Sequence, residues 1–471
     1  MSNHEVHVKF AGKIVMVGFG SIGQGVLPLI LRHVGTSADR ITIVTAEDAG
    51  RTEAEKFGVK FVKTALTRDN YRQTLLPLLG AGDFLLNLSV DVSSVALILL
   101  ARERGALYLD TCIEPWAGGY FDANASVEKR SNYSMRLDAL ALRDGRSHPT
   151  AVLTHGANPG LVSHFVKRAL LDIAKDTGVE TAKPQNREQW GRLAQRLGVK
   201  VIHIAERDTQ VSKAPKKPNE FVNTWSVDGF VSEGAQPAEL GWGTHERHFP
   251  TDGGKHAQGS GCAIYLNRPG ASTRVRTWTP QAGPFHGFLI THSEAISLAD
   301  FFTVRDGDRV TYRPTTHYAY HPSDNAVLSL HEFAGRNWQL QEHKRIMLDD
   351  VIEGIDELGV LLAGHQKNAY WYGSQLSIEE ARGLAPYNSA TSLQVTVAVL
   401  AGMVWAMENP TRGVVEPDEM DFERPLGICM PYLGTVVGRY TDWTPLEGRS
   451  ELFVEDLDAA DPWQFKNIRV V

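Results

Sequence analysis

Six residues, Gly18-Phe19-Gly20-Ser21-Ile22-Gly23, constrain this chain more than any others. They follow the apolar run Lys13-Ile14-Val15-Met16-Val17 and open a helical pattern through Val26, Leu27, Ile30 and Leu31. Strand, Gly-x-Gly-x-x-Gly and helix in that order form the dinucleotide-binding fingerprint. The first glycine permits the tight turn, the second admits a pyrophosphate against the backbone, and the third lets the helix pack on the strand. The anion rests on unpaired N–H groups at the helix N-terminus. Glycine-rich turns are common, so the next strand decides. Residues 40–44 run into Thr45-Ala46-Glu47-Asp48, roughly 20 residues past the last glycine. An acid there accepts hydrogen bonds from the ribose hydroxyls and repels a 2′-phosphate, and no arginine stands beside Glu47 before Arg51. The expectation is NAD rather than NADP, with Glu47 ahead of Asp48 as the ribose ligand. The competing reading is an acidic helix N-terminus. Gly18, Gly20, Ser21, Ile22, Gly23, Thr45, Ala46 and Glu47 form the first part of the cofactor-binding set.

The first third of the chain alternates strand and helix. Candidate strands are residues 13–17, 40–45, 60–66, 83–90, 106–110 and 151–155, with a helix over 93–104 that Ser93 or Ser94 caps. Their cores are apolar nearly throughout, as in a parallel sheet covered on both faces. The fold class is therefore α/β: a Rossmann-type doubly wound parallel sheet domain, then a second α+β domain with a mixed sheet. That second sheet is expected from β-type segments at 200–205, 220–227, 261–266, 272–279, 308–312 and 354–362, with few helices between them. A strongly apolar helix from Ser389 to the stop at Asn409-Pro410 returns to the nucleotide domain. The division is residues 1–158 for NAD, 159–385 for substrate, 386–410 for the returning helix and 411–471 for an extension or oligomer arm.

At 471 residues the chain is long enough for two or three domains, and 42% hydrophobic with 22% charged content is that of a globular protein. Cys112, Cys262 and Cys429 lie far apart and form no metal-type pair, which fits a reduced cytoplasm. The polar start Met1-Ser2-Asn3-His4-Glu5 reads as no signal peptide, and no apolar run is long enough to span a bilayer. A net charge of −7 argues against nucleic acid and favours cationic ligands. His245-Glu246-Arg247-His248 is one residue short of the H-E-x-x-H spacing, so no metal is assigned.

Ligands of such sheets bind outside the carboxyl ends of the strands. Three segments fall there: Ser89-Val90-Asp91, with Asn87 just before it, Asp110-Thr111-Cys112-Ile113-Glu114-Pro115-Trp116, and Gly156-Ala157-Asn158-Pro159-Gly160. They add Asn87, Ser89, Thr111 and Asn158 to the cofactor set and Asp91 and Glu114 to the reacting end. In the second domain Glu206, Trp225, Glu233, Glu239 and His292 stand out. Each has a plain alternative: solvated strand ends, core packing, an interior histidine.

Together these residues resemble the bacterial homospermidine synthases, over nearly the entire chain. The resemblance rests on 17–24, on Leu109 to Trp116, on Thr154-His155-Gly156-Ala157-Asn158-Pro159-Gly160 through His164, on Asn223-Thr224-Trp225-Ser226-Val227-Asp228-Gly229-Phe230, and on Pro386 to Thr396. It implies a reaction in which NAD stays bound and is recycled. One putrescine, or spermidine, loses a hydride to give an imine. A second putrescine attacks, ammonia or an amine leaves, and the hydride returns to give homospermidine. It also implies a homodimer.

The residues suit that chemistry. A dication needs carboxylates in a confined site, for which Glu206, Glu233 and Glu114 are candidates with Asp91 behind them. His292 with a carboxylate neighbour can move protons. The face of Trp225 can stabilise the developing cation by ~0.5–2 kcal/mol. Asn158 can orient substrate or nicotinamide. Two rivals remain at this level. One is a saccharopine- or carboxynorspermidine-type NAD(P)-linked reductase, which needs arginines for substrate carboxylates, and Arg207, Arg247, Arg274 and Arg276 are available. The other is a non-catalytic NAD-binding sensor.

Overall fold

In the computed structural model, which describes residues 4–471, the chain forms two large sheets facing each other across a cleft. Met1, Ser2 and Asn3, part of the polar start, lie outside the described residues. The first sheet is built from β1 (Ile14–Val17), β2 (Ile41–Thr45), β3 (Lys60–Lys63), β4 (Phe84–Asn87), β5 (Leu107–Asp110) and β6 (Ala151–Val152). Their order is β6-β5-β4-β1-β2-β3, parallel throughout, with α1 (Ser21–His33) following β1. All four residues of β1 are buried, as the unbroken apolar run requires in a sheet covered on both faces. The order reverses direction between β1 and β4, which opens a crevice at the carboxyl end of β1.

The second unit begins with α2 (Leu161–Asp176), whose apolar face lies against the second sheet. The elements that follow are β7 (Val201–Asp208), α3 (Val227–Ala235), β8 (Pro237–Gly241), α4 (Ser293–Phe301), β9 (Thr315–His321), β10 (Ile355–His365) and β11 (Asn368–Ser377). The sheet is mixed as expected: β7 pairs parallel with β9 and antiparallel with β10. Residues 220–227 differ from the expectation. Only Glu220–Asn223 is strand, and α3 starts inside the apolar run because the Ser226 hydroxyl accepts the Gly229 N–H at 3.0 Å. Helices are also more frequent between these strands than composition suggested, Asp324–Gly335 being another.

The late helix α5 (Ala390–Glu408) is closed at its start by a reciprocal Ser389–Ser392 capping box and ends at Asn409. It is the one helix among the described residues long and apolar enough to cross a membrane, and it lies in the interior instead. It packs on α1, where Gly25 admits the Asn388 side chain, whose amide donates to the Gly25 carbonyl at 3.2 Å. The segment after it, expected as an extension, supplies strands to both sheets. β12 (Val414–Val415) extends the first sheet beside β6, and β13 (Thr435–Thr441) extends the second beside β11. The final Arg469–Val470 pairs with Arg274–Thr279.

Candidate active site

The glycine loop after β1 makes a cradle. Gly18 sits at φ +89°, and a Cβ there would meet the Leu88 carbonyl at 2.6 Å. Gly20 caps α1, and a Cβ there would meet nothing within 4 Å, so its outer face is open for an anion to approach. The buried Gly23 keeps α1 close to the loop, and no acidic residue occupies the first turn, which starts at Ser21 and Ile22. At the end of β2, Thr45 is half-buried and Ala46 and Glu47 are exposed. Asp48 is engaged by Arg51 at 2.8 Å and by Lys63, whereas Glu47 has no ion-pair partner among the described residues. The free acid at the strand end is thus Glu47, and the cradle fits a dinucleotide.

Past the cradle, the carboxyl ends of β4, β5 and β6 face the second sheet across a cleft with about 810 Å³ of empty space. From the first sheet come Ser89, Val90, Thr111, Cys112, Glu114 and Asn158, with Ile22 from α1. From the second unit come Glu206, Trp225, Gly229, Glu233, His292 and Tyr318, with Thr391 and Val395 from α5. No lysine or arginine lines it. Gly229 and Glu233 are four apart on α3, hence on one helical face, and the Trp225 ring lies against Gly229.

Glu206 is the best-anchored carboxylate. Its Oε2 accepts from Asn158 Nδ2 at 2.9 Å and from the Tyr318 hydroxyl at 2.5 Å. On β9, Tyr318 and Tyr320 stack at 5.1 Å, and the Tyr320 hydroxyl accepts the Trp225 indole N–H at 3.3 Å. Burial pushes Glu206 up to about 7, with the charge of Asp208 adding to it. Asp356 stands directly opposite Asp208 on β10, and both of its buried oxygens lack a hydrogen-bond partner. Burial, then the charges of Glu206 and Asp208, holds the Asp356 carboxyl well above its ordinary value. Three buried carboxyls with no cation among them form a nest in which burial and mutual repulsion favour the neutral forms, and of the three only Glu206 lines the cleft.

The other acidic group surrounds His292. Its Nε2 lies 3.0 Å from Glu233 Oε2 and its Nδ1 3.2 Å from Glu294 Oε1. Burial works against charge on the ring, yet the two carboxylates win and raise the imidazole well above its ordinary value. With a carboxylate at each nitrogen, the pairing favours the protonated imidazole. On the first sheet's side, burial pushes Glu114 up to about 8, and its Oε2 accepts the Asp91 N–H at 3.0 Å.

Several expected residues act from outside the cleft wall. Asp91 is exposed at the rim, and what it gives Glu114 is a backbone N–H. Asn87 is buried beneath the floor, its Oδ1 accepting from the Ser89 hydroxyl at 2.6 Å. Glu239 is away from the cleft: its oxygens take the N–H groups of Asn132 and Tyr133 at 2.6 and 3.2 Å and the Thr291 hydroxyl at 2.7 Å. The four arginines considered for carboxylate binding are used elsewhere. Arg207 pairs with Asp324, Arg247 with Asp458, Arg274 contacts His331, and Arg276 donates to the Arg469 carbonyl. Asp208, Asp356, Tyr318 and Tyr320 were missed. The alternation of Tyr318-Ala319-Tyr320 on a strand was the available signal for the two tyrosines.

Comparison with known proteins agrees with this geometry. Residues 14–152 match the saccharopine dehydrogenase NADP binding domain, and residues 156–442 the saccharopine dehydrogenase C-terminal domain. The chain is 57% identical over 477 residues to a homospermidine synthase of Blastochloris viridis, covering 100% of each. It is 55% identical over 476 residues to one from Mesorhizobium japonicum, covering 99% of this chain and 98% of that protein. Among solved structures, the homospermidine synthase of Legionella pneumophila in complex with NAD superposes with a TM-score of 0.92 at 50% identity, over 98% of both chains. Saccharopine dehydrogenase (L-Glu forming) of Saccharomyces cerevisiae, at a TM-score of 0.50 and 10% identity over 92% of this chain and 100% of that one, shares the fold.

Proposed function

The chain belongs to the homospermidine synthase family, and from that membership we propose that it condenses two putrescines, or spermidine and putrescine, to homospermidine with NAD retained between turnovers. The observation that carries this reading is a cleft of buried carboxylates, without one lysine or arginine, beside a dinucleotide cradle. Such a lining suits a polyamine and is wrong for a substrate carboxylate, which disfavours the reductase rival. NAD, when bound, supplies the acceptor and later the donor of one hydride, so the net redox change is zero.

In this reading Glu206 meets the distal ammonium of the donor, with Asp208 and Asp356 behind it. Asn158 and Tyr318 fix which Glu206 oxygen is free. The reacting amine lies by Glu233, which takes its proton before the hydride leaves. His292 stays charged and steadies Glu233, which returns the proton it took to the departing nitrogen as ammonia leaves. The Trp225 face meets the positive charge that develops on carbon and nitrogen. The apolar lining of Ile22, Val90 and Val395 keeps water from the imine. Glu114, backed by Asp91, gives incoming ammonium groups an acidic step at the mouth. The protein works as a homodimer in this reading. Its three cysteines, none in a disulfide, suit a reducing cytoplasm.

The test is the purified protein with putrescine and no added oxidant. The expected result is homospermidine and ammonia in equal amounts with no stoichiometric NADH. NADH rising with amine consumed would sink the synthase in favour of a dehydrogenase. Glu47→Ala should weaken NAD retention by roughly one to two orders of magnitude, the worth of hydrogen bonds to a charged acceptor. A variant that purifies fully loaded would remove Glu47 from the ribose site.

A further inference from the structure

Three consecutive apolar side chains stand in solvent at the tip of one late loop: Leu452 is 90% exposed, Phe453 81% and Val454 97%. Apart from the terminal Val471, no other large apolar residue among those described is more than 55% exposed. The loop is stiff at its base. Arg449 pairs with Glu455, donates to the Pro445 and Asn467 carbonyls at 3.2 and 2.8 Å, and Ser450 Oγ accepts the Glu455 N–H at 3.3 Å. A finger so fixed cannot fold its apolar tip back onto its own chain, and a patch of this kind marks a contact surface.

The chain carries the matching half on the same surface. Beside the finger, Arg276, Phe285, His286, Trp443, Pro445 and Arg449 line a cleft with about 660 Å³ of empty space, Glu447 being its only acid. The finger reads Glu451-Leu452-Phe453-Val454-Glu455, apolar residues between acids, and Glu451 has no ion-pair partner among the described residues. The cleft reads the other way, aromatic rings and prolines between bases. Arg449 belongs to both, so the two are neighbours, yet the tip is not seated in the cleft. Glu455 and Arg449 already pair within the chain, but the apolar tip and the aromatic cleft beside it stay unmatched, and a two-fold axis completes such a pair. We propose that the finger at Leu452-Phe453-Val454 inserts into the Trp443–His286 cleft of a second copy, reciprocally, and that this exchange is the interface of the homodimer put forward above. No residue of the finger or of this cleft lines the catalytic cleft.

The experiment uses the full chain with its NAD. Light scattering at micromolar concentration should give twice the 52.0 kDa chain mass for the wild type, and the single mass for the double variant Leu452→Ser, Phe453→Asp. Circular dichroism and NAD content should be unchanged, since these side chains pack against nothing in their own chain. Equimolar Phe453→Cys and His286→Cys proteins, mixed and oxidised, should give an interchain disulfide that neither gives alone. A wild type of one-chain mass, open assemblies larger than two, or a double variant that stays dimeric would each overturn the proposal. So would a mixed dimer that fails to cross-link. Homospermidine formation by the wild type is measured separately, so the interface can fail while the activity stands.

Discussion

The Glu233→Gln enzyme retains its NAD and its fold and loses roughly two to four orders of magnitude in turnover, the usual contribution of a positioned acid or base. The reason lies in the pairing of His292. Between Glu233 and Glu294 the imidazole favours its charged form, despite burial that opposes the charge. An imidazolium cannot accept the proton that putrescine must lose, so the base is the carboxylate beside it. Glutamine keeps the shape and the hydrogen bond but removes the charge. Two consequences are separately measurable. Stopped-flow absorbance should show that hydride leaves the donor slowly even at saturating putrescine. Imidazole NMR should show His292 titrating at lower pH in the variant, because one of the two charges that raise it has gone. Unchanged turnover would move the base elsewhere. Unchanged turnover with a shifted imidazole would make Glu233 a structural partner only.

Trp225→Ala carries the second large effect. A face of indole in a desolvated site is worth ~2 kcal/mol or more toward a cation, so alanine costs roughly 30-fold in turnover from that source alone. The truncation also opens the half-buried wall between α3 and β9 to water. The imine then hydrolyses, and part of the donor is released as an aminoaldehyde. Trp225→Phe keeps a π face and excludes water, losing chiefly the N–H that the indole gives Tyr320, and should retain a measurable fraction of activity with little aldehyde. The ratio of aldehyde to homospermidine, read by mass spectrometry across the three proteins, is the decisive quantity. Alanine and phenylalanine variants of equal rate and equal product ratio would mean that the ring only fills space.

What could be read in advance follows from how local each signal is. The glycine loop, the apolar parallel strands and the Ser389-capped helix announce themselves in a few adjacent residues, and each lies where its spacing put it. Glu206, Glu233, His292, Trp225 and Asn158 were visible as chemically able side chains, and they line one cleft. Asp356 was not, because its meaning comes from register: β10 sets it opposite Asp208, far away in sequence, and only that pairing makes the nest. Trp225 was placed on a strand for a similar reason. The apolar run around it is ambiguous until the Ser226 hydroxyl claims the Gly229 N–H and turns the backbone into α3. Asp91 misled by its type, since its part is played by an amide hydrogen. The pull on His292 comes from two carboxylates, at positions 233 and 294, and the first of them is brought to it only by the fold.

The path of the last segment bears on why a nucleotide would be kept rather than exchanged. After α5 the polypeptide adds β12 to the edge of one sheet and β13 to the edge of the other, so the two halves are laced by the same strand of chain. Prying them apart means unlacing ladder hydrogen bonds at both ends, a far steeper path than swinging on a single linker. A dinucleotide bound between halves tied in this way would have no easy exit, while small, flexible guests could pass through the cleft.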